Sequence, residues 1–442
     1  MNPTVDRFCS CFIRIGNVDA FFNKRKWGNR PMSYVFHEQI SSAKMDAFVM
    51  ASGQNSLFQC SDWAKMKANW QSMRTGVYEE DHLVASALIL IRKLPMGASL
   101  FYIPRGPVMD YHNEALVTFF LDHLTKIAKR NHAVALRFDP CILLRSYPYR
   151  QRTSPSLMSN QDIITFLQHY GARHKGYTVH IEESTQPRFN AEMDVTEDYC
   201  QHLEHKTAKC IRAAMHKGIQ VYEGPQYVHD LAVAMRYTEI RKKVALRDED
   251  YFRHMLDVYG DHAICMVAKL NFPKQIEILA KGIKEAEEKE HTDISQKEKK
   301  LLRQQIANDQ KELERLQKDY QREGKEEVIT CGILAVYNDA LMELFYMGNH
   351  PDYMRMYSSY LLYASCLDRC VSLGITHCSF GGIEGTLDDG LTLFKSNWLM
   401  NVEEYIGEFN LVFRPLFYNA FTSLYPSLLK FAAKMRGKKK SI

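Results

Sequence analysis

Residues 273–325 constrain the fold of this 442-residue chain more than any other stretch. Ile276, Leu279, Ile283 and Ala286 recur at three- and four-residue spacing, and Leu302, Ile306, Leu313, Leu316 and Tyr320 do so again further on. That is the period of helices with one apolar stripe. Charges fill almost every other position, but 13 Lys or Arg stand against 12 Asp or Glu, so the segment is no polycation. A break at 291–295 predicts two helices folded back as an antiparallel coiled-coil hairpin. Two helices of about 20 residues or more would each reach roughly 30 Å. Strand-like alternation lies on both sides, at 262–270 and 328–337, so the arm is expected to be inserted into a domain that continues around it. Such an arm suits a structural or dimerising role; contact with a large ligand is the sharper alternative.

The rest of the chain predicts an α/β fold. Strand candidates at 34–37, 77–92, 99–102 and 133–138 alternate with helices at 44–50, 114–130 and 161–170, and a strand follows at 178–181. The second half repeats that order. It has a basic helix at 204–217, a strand at 219–222, helices at 228–244 and around 252–259, and then the strands flanking the arm. A strand at 343–347, a long helix at 353–373, a strand at 376–380 and a terminal helix at 426–435 follow. This order reads as α+β mixed, partly antiparallel sheets. Residues 1–32 read as an appendage. The 46% hydrophobic and 25% charged composition is that of a soluble globular protein, and a net charge of +5 permits an anionic partner without requiring one. The 11 cysteines form no CxxC pair and no metal-ligand cluster, so they are expected to be reduced thiols in a cytosolic protein. No apolar run is long enough to span a bilayer, and no signal region opens the chain. A membrane-bound substrate would then be met by peripheral contact at the inner face.

Several residues are candidates for chemistry. Gly381, Gly382 and Gly385 follow a strand and allow a tight turn close to a ligand; their spacing fits neither a phosphate loop nor a dinucleotide fingerprint. Lys395 is expected to project from the short element that follows, where a plain surface loop is the competing reading. Arg105 sits in the stiff Tyr102-Ile103-Pro104-Arg105-Gly106-Pro107 loop and is its anion handle. Asp139 ends a strand, where it can orient a reacting group or simply cap a turn. Trp63, Met66 and Trp70 share a helical face, with Lys67 pointing away from it as a surface lysine would. Arg247 and Tyr251, four apart, can reach one ligand. Lys206, Lys209 and Arg212 lie three apart on a helix, as a solvated stripe or as point contacts to a phosphate backbone.

The segments LFQCSDWAKMK, YIPRGPVMDY, ALRFDP, QPRFN, HKTAKCIRAAMHKGI, RDEDYF and FGGIEG…GLTLFKSNW…VEEYIGEF, in that order and with the inserted arm, resemble the FemABX family of peptidoglycan-bridge aminoacyltransferases over about residues 33–430. The resemblance implies tandem GNAT-like acyltransferase domains: the first at 33–177, completed by 405–435, and the second at 178–272 and 326–404, with the arm at 273–325. It implies transfer of Gly, Ala or Ser from aminoacyl-tRNA to a stem-peptide amine of lipid-linked peptidoglycan precursor, or its nucleotide-linked form. By the same resemblance Lys67, Arg247 and Tyr251 hold precursor phosphates, and Asp139 and Tyr337 lie near the acceptor channel. Lys395 matches the lysine of the family's FK motif, which stabilises the reacting acyl group or the tRNA end. The basic helix departs from the pattern at Ala208 and Cys210, where relatives are more often polar or basic.

Aminolysis of an ester needs a neutral amine, a stabilised carbonyl oxygen and a protonated leaving group. Lys395 with nearby backbone N–H groups is expected to meet the oxyanion, and Asp139 to place the amine or relay its proton. No cofactor and no metal are expected. Two other readings remain open on the residues alone: an acyltransferase with a small-molecule donor, its arm a homodimer contact, and a non-catalytic tRNA-binding protein.

Overall fold

The computed structural model describes residues 34–242, 246–420 and 422. The expected appendage at 1–32 and terminal helix at 426–435 lie outside the described residues. One βααβββαβ series occurs twice. The first runs through β1 (Tyr34–His37), α1 (Ser42–Ala51), α2 (Ser61–Met66), β2 (Gln71–Glu79), β3 (His82–Lys93), β4 (Ser99–Ile103), the two-residue β5 (Val108–Met109), α3 (Glu114–Arg130) and β6 (Ala133–Phe138). A connecting stretch holds β7 (Leu143–Pro148), α4 (Gln161–His169), β8 (Arg173–His174), β9 (Phe189–Asp194), α5 (Tyr199–His202) and α6 (His205–His216). The second series is β10 (Ile219–Glu223), α7 (Val228–Lys242), α8 (Glu249–Tyr259), β11 (Ala263–Asn271), α9 (Phe272–Glu290), α10 (Gln296–Glu323), β12 (Glu327–Tyr337), β13 (Leu341–Asn349), α11 (Ser358–Leu373) and β14 (His377–Gly382). Then come α12 (Gly390–Lys395), β15 (Asn401–Tyr405) and β16 (Phe409–Val412).

The strands make two mixed eight-stranded sheets, ordered β1-β2-β3-β4-β6-β16-β8 with β5 beside β3, and β10-β11-β12-β13-β14-β9-β15-β7. Each holds one parallel pair, β4 with β6 and β13 with β14, spanned by α3 and α11 as crossovers. The sheets do not divide the chain at residue 177 as expected, because β7 pairs with β15 from Asn401↔Pro148 to Tyr405↔Leu143 and so edges the second sheet. β16 returns to the first sheet, where Glu408 and Asn410 receive Arg137.

Three local expectations are corrected. Residues 77–92 are not one strand, because Glu80 takes a positive φ of 54° and turns the chain between β2 and β3. Residues 178–181 do not pair in a sheet; the Thr178 carbonyl accepts from Arg188 Nε instead, and a single helical turn, Ile181–Glu183, follows. The long helix expected at 353–373 breaks at Tyr357, in the left-handed region at φ 59°, which separates a short 3-10 turn from α11.

The α9–α10 pair stands between β11 and β12. Asn271 caps α9 with Pro273 in its first turn, Ser295 and Glu298 box the start of α10, and left-handed Gly324 ends it. Ile283, Ala286 and Ile306 bury one another along the pair, while Leu279 and Leu316 join the core of the second sheet.

Burial comes in layers. Alternate residues of the first sheet, among them Ile89, Phe101 and Leu136, face α3 and α4. Their neighbours Leu88, Leu90 and Tyr102 face a shared middle core with Phe58, Trp63, Phe252 and Met255. The far face of the second sheet, with Ala191, Met342 and Val402, is covered by α11 and the base of the arm. Past the middle core, the near face of the second sheet turns polar, and the site lies there.

Candidate active site

A cleft of about 1470 Å³ opens between the two halves. Lys67 ends α2 on one side, and Arg247 and Tyr251 lie at the start of α8 on the other. Arg92 and Lys93 add two more cations, and among the described residues no carboxylate lines the cleft. Lys67 does not stand in open solvent as a surface lysine would: its ammonium lies 4.5 Å from the centre of the Trp63 ring, and burial, then the Arg247 charge, lowers its pKa to about 8. The Arg247 guanidinium stacks 4.7 Å from the Tyr251 ring, and the Tyr251 and Tyr346 hydroxyls lie 3.3 Å apart. Aromatic walls around clustered cations suit a ligand with an anionic head and an apolar or sugar body.

Tyr102 links this cleft to Asp139. Its hydroxyl donates to Asp139 Oδ2 at 2.8 Å, and the Arg105 N–H donates to Oδ1 at 2.5 Å. Both carboxyl oxygens are therefore engaged, and burial raises the Asp139 pKa to about 7 against the pull of Arg105. Arg105 holds a positive φ of 51°, costly for a non-glycine residue, before the cis Gly106–Pro107 bond. Gln59 fixes that loop from beneath, donating to the Pro104 carbonyl at 2.5 Å and lying where a Cβ on Gly106 would sit. The Arg105 guanidinium crosses to the second sheet, donates to the Pro187 carbonyl at 2.8 Å and stacks over Tyr405. It is not an exposed handle; it ties the two halves together.

Lys395 is 4% exposed and folds inward instead of projecting. Its ammonium donates to the Gly382 carbonyl at 2.8 Å and the Gly381 carbonyl at 3.2 Å. The reason is local. Gly381, at φ +75°, swings the end of β14 so that two successive carbonyls face α12, while Gly382 packs where a Cβ would meet Pro187. These glycines turn carbonyls toward Lys395 and do not form an N–H cradle for an anion; the Gly381 N–H is itself bonded to Ser379 Oγ. Beside this turn, β13 and β14 pair only from Leu341↔His377 to Glu343↔Ser379 and then part into a V.

α6 presents Lys206, Lys209 and Arg212 to solvent and buries Thr207, Cys210 and Ala214. Cys210 is thus on the packed face and takes nothing from the charged one. Lys209 and Arg212 line a hollow of about 480 Å³ against α10, and Lys217 pairs with Glu312 there at 3.1 Å. Thr207 donates to the Asn397 carbonyl, which connects the basic helix to the segment after Lys395.

Tyr337 does not join the site. Its hydroxyl donates to the Asp261 carbonyl at 2.6 Å at the far end of β12, away from the residues lining the cleft. Tyr346 lines the cleft instead. A bulge in β13, where Leu334 opposes Tyr346 and Ala335 opposes Leu344, turns both Phe345 and Tyr346 onto the cleft face. Sequence reasoning also missed the polar face of the second sheet. Glu192, Glu343 and Glu403 gather there from three strands, and His377 lies 3.2 Å from Glu192 and from Asp194.

The FemAB family profile matches residues 40–426 of this sequence. The lipid II:glycine glycyltransferase of Staphylococcus saprophyticus is 25% identical over 423 residues, 91% of this chain and 99% of that protein. The aminoacyltransferase FemB of Staphylococcus epidermidis is 25% identical over 359 residues, 77% of this chain and 85% of that protein. Among solved structures, the crystal structure of FemX superposes with a TM-score of 0.68 at 22% identity, covering 88% of this chain and 99% of the other.

Proposed function

The chain belongs to the FemAB family and is an aminoacyltransferase, and from that premise we propose that it transfers glycine, alanine or serine from aminoacyl-tRNA to a stem-peptide amine of lipid-linked peptidoglycan precursor. The observation that carries this reading is the cleft in which Lys67 and Arg247 meet without a carboxylate among the described lining residues. It suits the diphosphate of a lipid- or nucleotide-linked precursor, held by charge-assisted hydrogen bonds. Tyr251 and Tyr346 flank those phosphates. The two strand series are read as tandem GNAT-like units, and α9–α10 as a coiled-coil arm. The exposed face of α6, beside that arm, contacts the tRNA through Lys206, Lys209 and Arg212.

The acyl ester then reaches the V between β13 and β14 by way of the α12 turn. Lys395 stabilises negative charge developing on the ester carbonyl oxygen, because a buried ammonium acts strongly where water is excluded. Asp139 acts as a positioning residue: with both oxygens engaged, it fixes Tyr102 and the Arg105 loop against the cleft. Holding the amine and an activated ester together supplies much of the rate. No described helix is long and apolar enough to cross a membrane, and the lipid-linked acceptor is met by peripheral contact. The test is a transfer assay crossing glycyl-, alanyl- and seryl-tRNA with lysine- and diaminopimelate-containing precursors. Transfer in one or more combinations supports the reading; none in any combination overturns it.

A further inference from the structure

The reaction needs a group to take the proton of the acceptor ammonium, and each oxygen of Asp139 already accepts a buried hydrogen bond. Besides Asp194, which pairs with His377 at 3.2 Å, four carboxyls lie around the polar face of the second sheet. Asp139 is held by Tyr102 and the Arg105 N–H. Glu192 accepts from Ser379 at 2.8 Å and pairs with His377. Glu403 accepts from the Tyr405 hydroxyl at 2.7 Å. Glu343 is the fourth, and among the described residues no hydrogen bond or ion pair within bonding distance engages it.

Its place on the strand is specific. Glu343 is the last residue of β13 that pairs with β14, so its backbone stands at the apex of the V. Met342 and Leu344 point into the far core, so Glu343 points to the near face. The bulge puts Phe345 and Tyr346 on that same face, and both line the acceptor cleft. On the opposite limb of the V stand the Gly381 and Gly382 carbonyls and Lys395. Glu343 is thus where the wall of the acceptor cleft runs into the donor-side turn.

We propose that Glu343 is the general base of the transfer, taking one proton from the acceptor ammonium as the amine enters the V. This rests on the aminolysis reading above. The neutral amine attacks the ester carbonyl carbon, forming the C–N bond, and the carbonyl oxygen takes the negative charge beside Lys395. When the tetrahedral species collapses, the C–O bond to the ribose breaks. The second proton leaves nitrogen for the ribose oxygen, and Glu343 returns the first to solvent. Atoms and charge balance as ammonium plus ester giving amide, free ribose hydroxyl and one proton.

The surroundings support the role. Burial, then the neighbouring Glu192 charge, raises the Glu343 pKa to about 8, while Arg105 and Lys395 pull it back. His377 on β14, Asp194 on β9, Glu403 and Tyr405 on β15, Cys141 after β6, and Asp139 below Arg105 are the other charged and titratable groups described around that face. A base with a pKa near the working pH is the effective kind. Being deprotonated only above that value, Glu343 should give activity that rises with pH.

The test uses the full chain with whichever tRNA and precursor support transfer, and measures kcat, KM for precursor and the pH profile of kcat. Glu343→Gln should lower kcat by about 10²–10⁴-fold with KM for precursor little changed. Glu343→Asp should recover part of the loss. Glu192→Gln, which removes the repelling charge, should move the rising limb of the kcat profile to lower pH; a purely structural role for Glu343 would not shift that limb. Melting curves of each variant show whether it is folded. A folded Glu343→Gln enzyme with kcat within threefold of wild type overturns the assignment alone, and so does a Glu192→Gln profile that does not move. Absence of transfer by wild type across all combinations overturns the proposed function and this assignment with it.

Discussion

The two strand series differ at two places, and under the proposed function those differences bear on where transfer occurs. In the first, β2 and β3 are joined across Glu80 and Asp81; in the second, the equivalent β11 and β12 are joined by α9 and α10. In the first, the parallel pair β4–β6 stays paired over its length, from Ser99↔Ala133 to Ile103↔Phe138. In the second, β13–β14 parts after Glu343↔Ser379. A paired sheet has no room between its strands for an acyl group, whereas a parted one exposes unpaired backbone and a gap. The first half supplies one wall of the cleft, with Lys67 and Tyr102, and the second supplies the facing wall, with Arg247 and Tyr251, together with the parted strands and the arm. The same fold has been put to two uses by changing one turn and one register.

The sharpest way to break that comparison is to make the second half resemble the first. Removing residues 284–310 and closing the gap with a short glycine turn leaves Leu279, Leu316 and Glu312 at the base, where they pack or pair. If the arm carries tRNA, transfer should fall by roughly a hundredfold or more, about what several lost phosphate contacts cost at moderate salt. Precursor binding by calorimetry should be unchanged. Unchanged transfer with an altered oligomeric state would make the arm a structural contact and remove one of the two differences from the functional account.

Next in size is Lys395→Ala. Loss of a buried cation at the V should lower kcat by about 10²–10³-fold, the effect of removing one preorganised oxyanion donor. Lys395 also holds the Gly381 and Gly382 carbonyls, so the variant needs a fold check, and Lys395→Arg tests charge separately from fit. Wild-type kcat in Lys395→Ala would take this lysine out of the chemistry.

Much of this was legible in the chain, and the parts that were not share a cause. The arm, α3, α6 and most strands follow from apolar period, and Lys67, Arg247 and Tyr251, with some 180 residues of sequence between the first and the other two, line one cleft. What failed was direction. Lys395 reads as an exposed lysine on a short helix, and only the left-handed Gly381 explains why it turns inward. Tyr346 was missed because a bulge at Phe345 breaks the two-residue alternation on which strand reading depends, and Tyr337 was favoured in its stead. Glu192, Glu343 and Glu403 are ordinary strand glutamates in sequence; pairing through β14 and β9 makes them one cluster.

Smaller effects are expected at the cleft walls. Lys67→Ala and Arg247→Ala should each weaken precursor affinity by about 10–100-fold, in line with ~1.5–3 kcal/mol for a hydrogen bond to a charged group, with little change in kcat once precursor is saturating. The double variant should lose more than the product of the two, because Arg247 disfavours the charged form of Lys67 and each single loss is partly offset by relief of that repulsion. A kcat effect equal to the KM effect would instead place these residues in the chemistry of transfer.

The smallest effect is one of pH, and it separates the halves without mutation. Lys67 is lowered to about 8 by burial and by Arg247, so it is charged below that value and loses its proton as pH rises through it. A bound phosphate favours the charged form and raises the pKa of the complex. By linkage, precursor affinity should hold steady below about pH 7 and fall by about tenfold by pH 9, where only about a tenth of free Lys67 would be charged. Glu343 runs the other way, since its charged form gains with pH. Precursor affinity measured by calorimetry should therefore fall over the same interval in which kcat at saturating precursor rises. In Lys67→Arg, whose side chain stays charged, the affinity decline should vanish while the kcat rise remains. If both curves flatten together in that variant, the two halves titrate as one unit and the division between wall and opening fails.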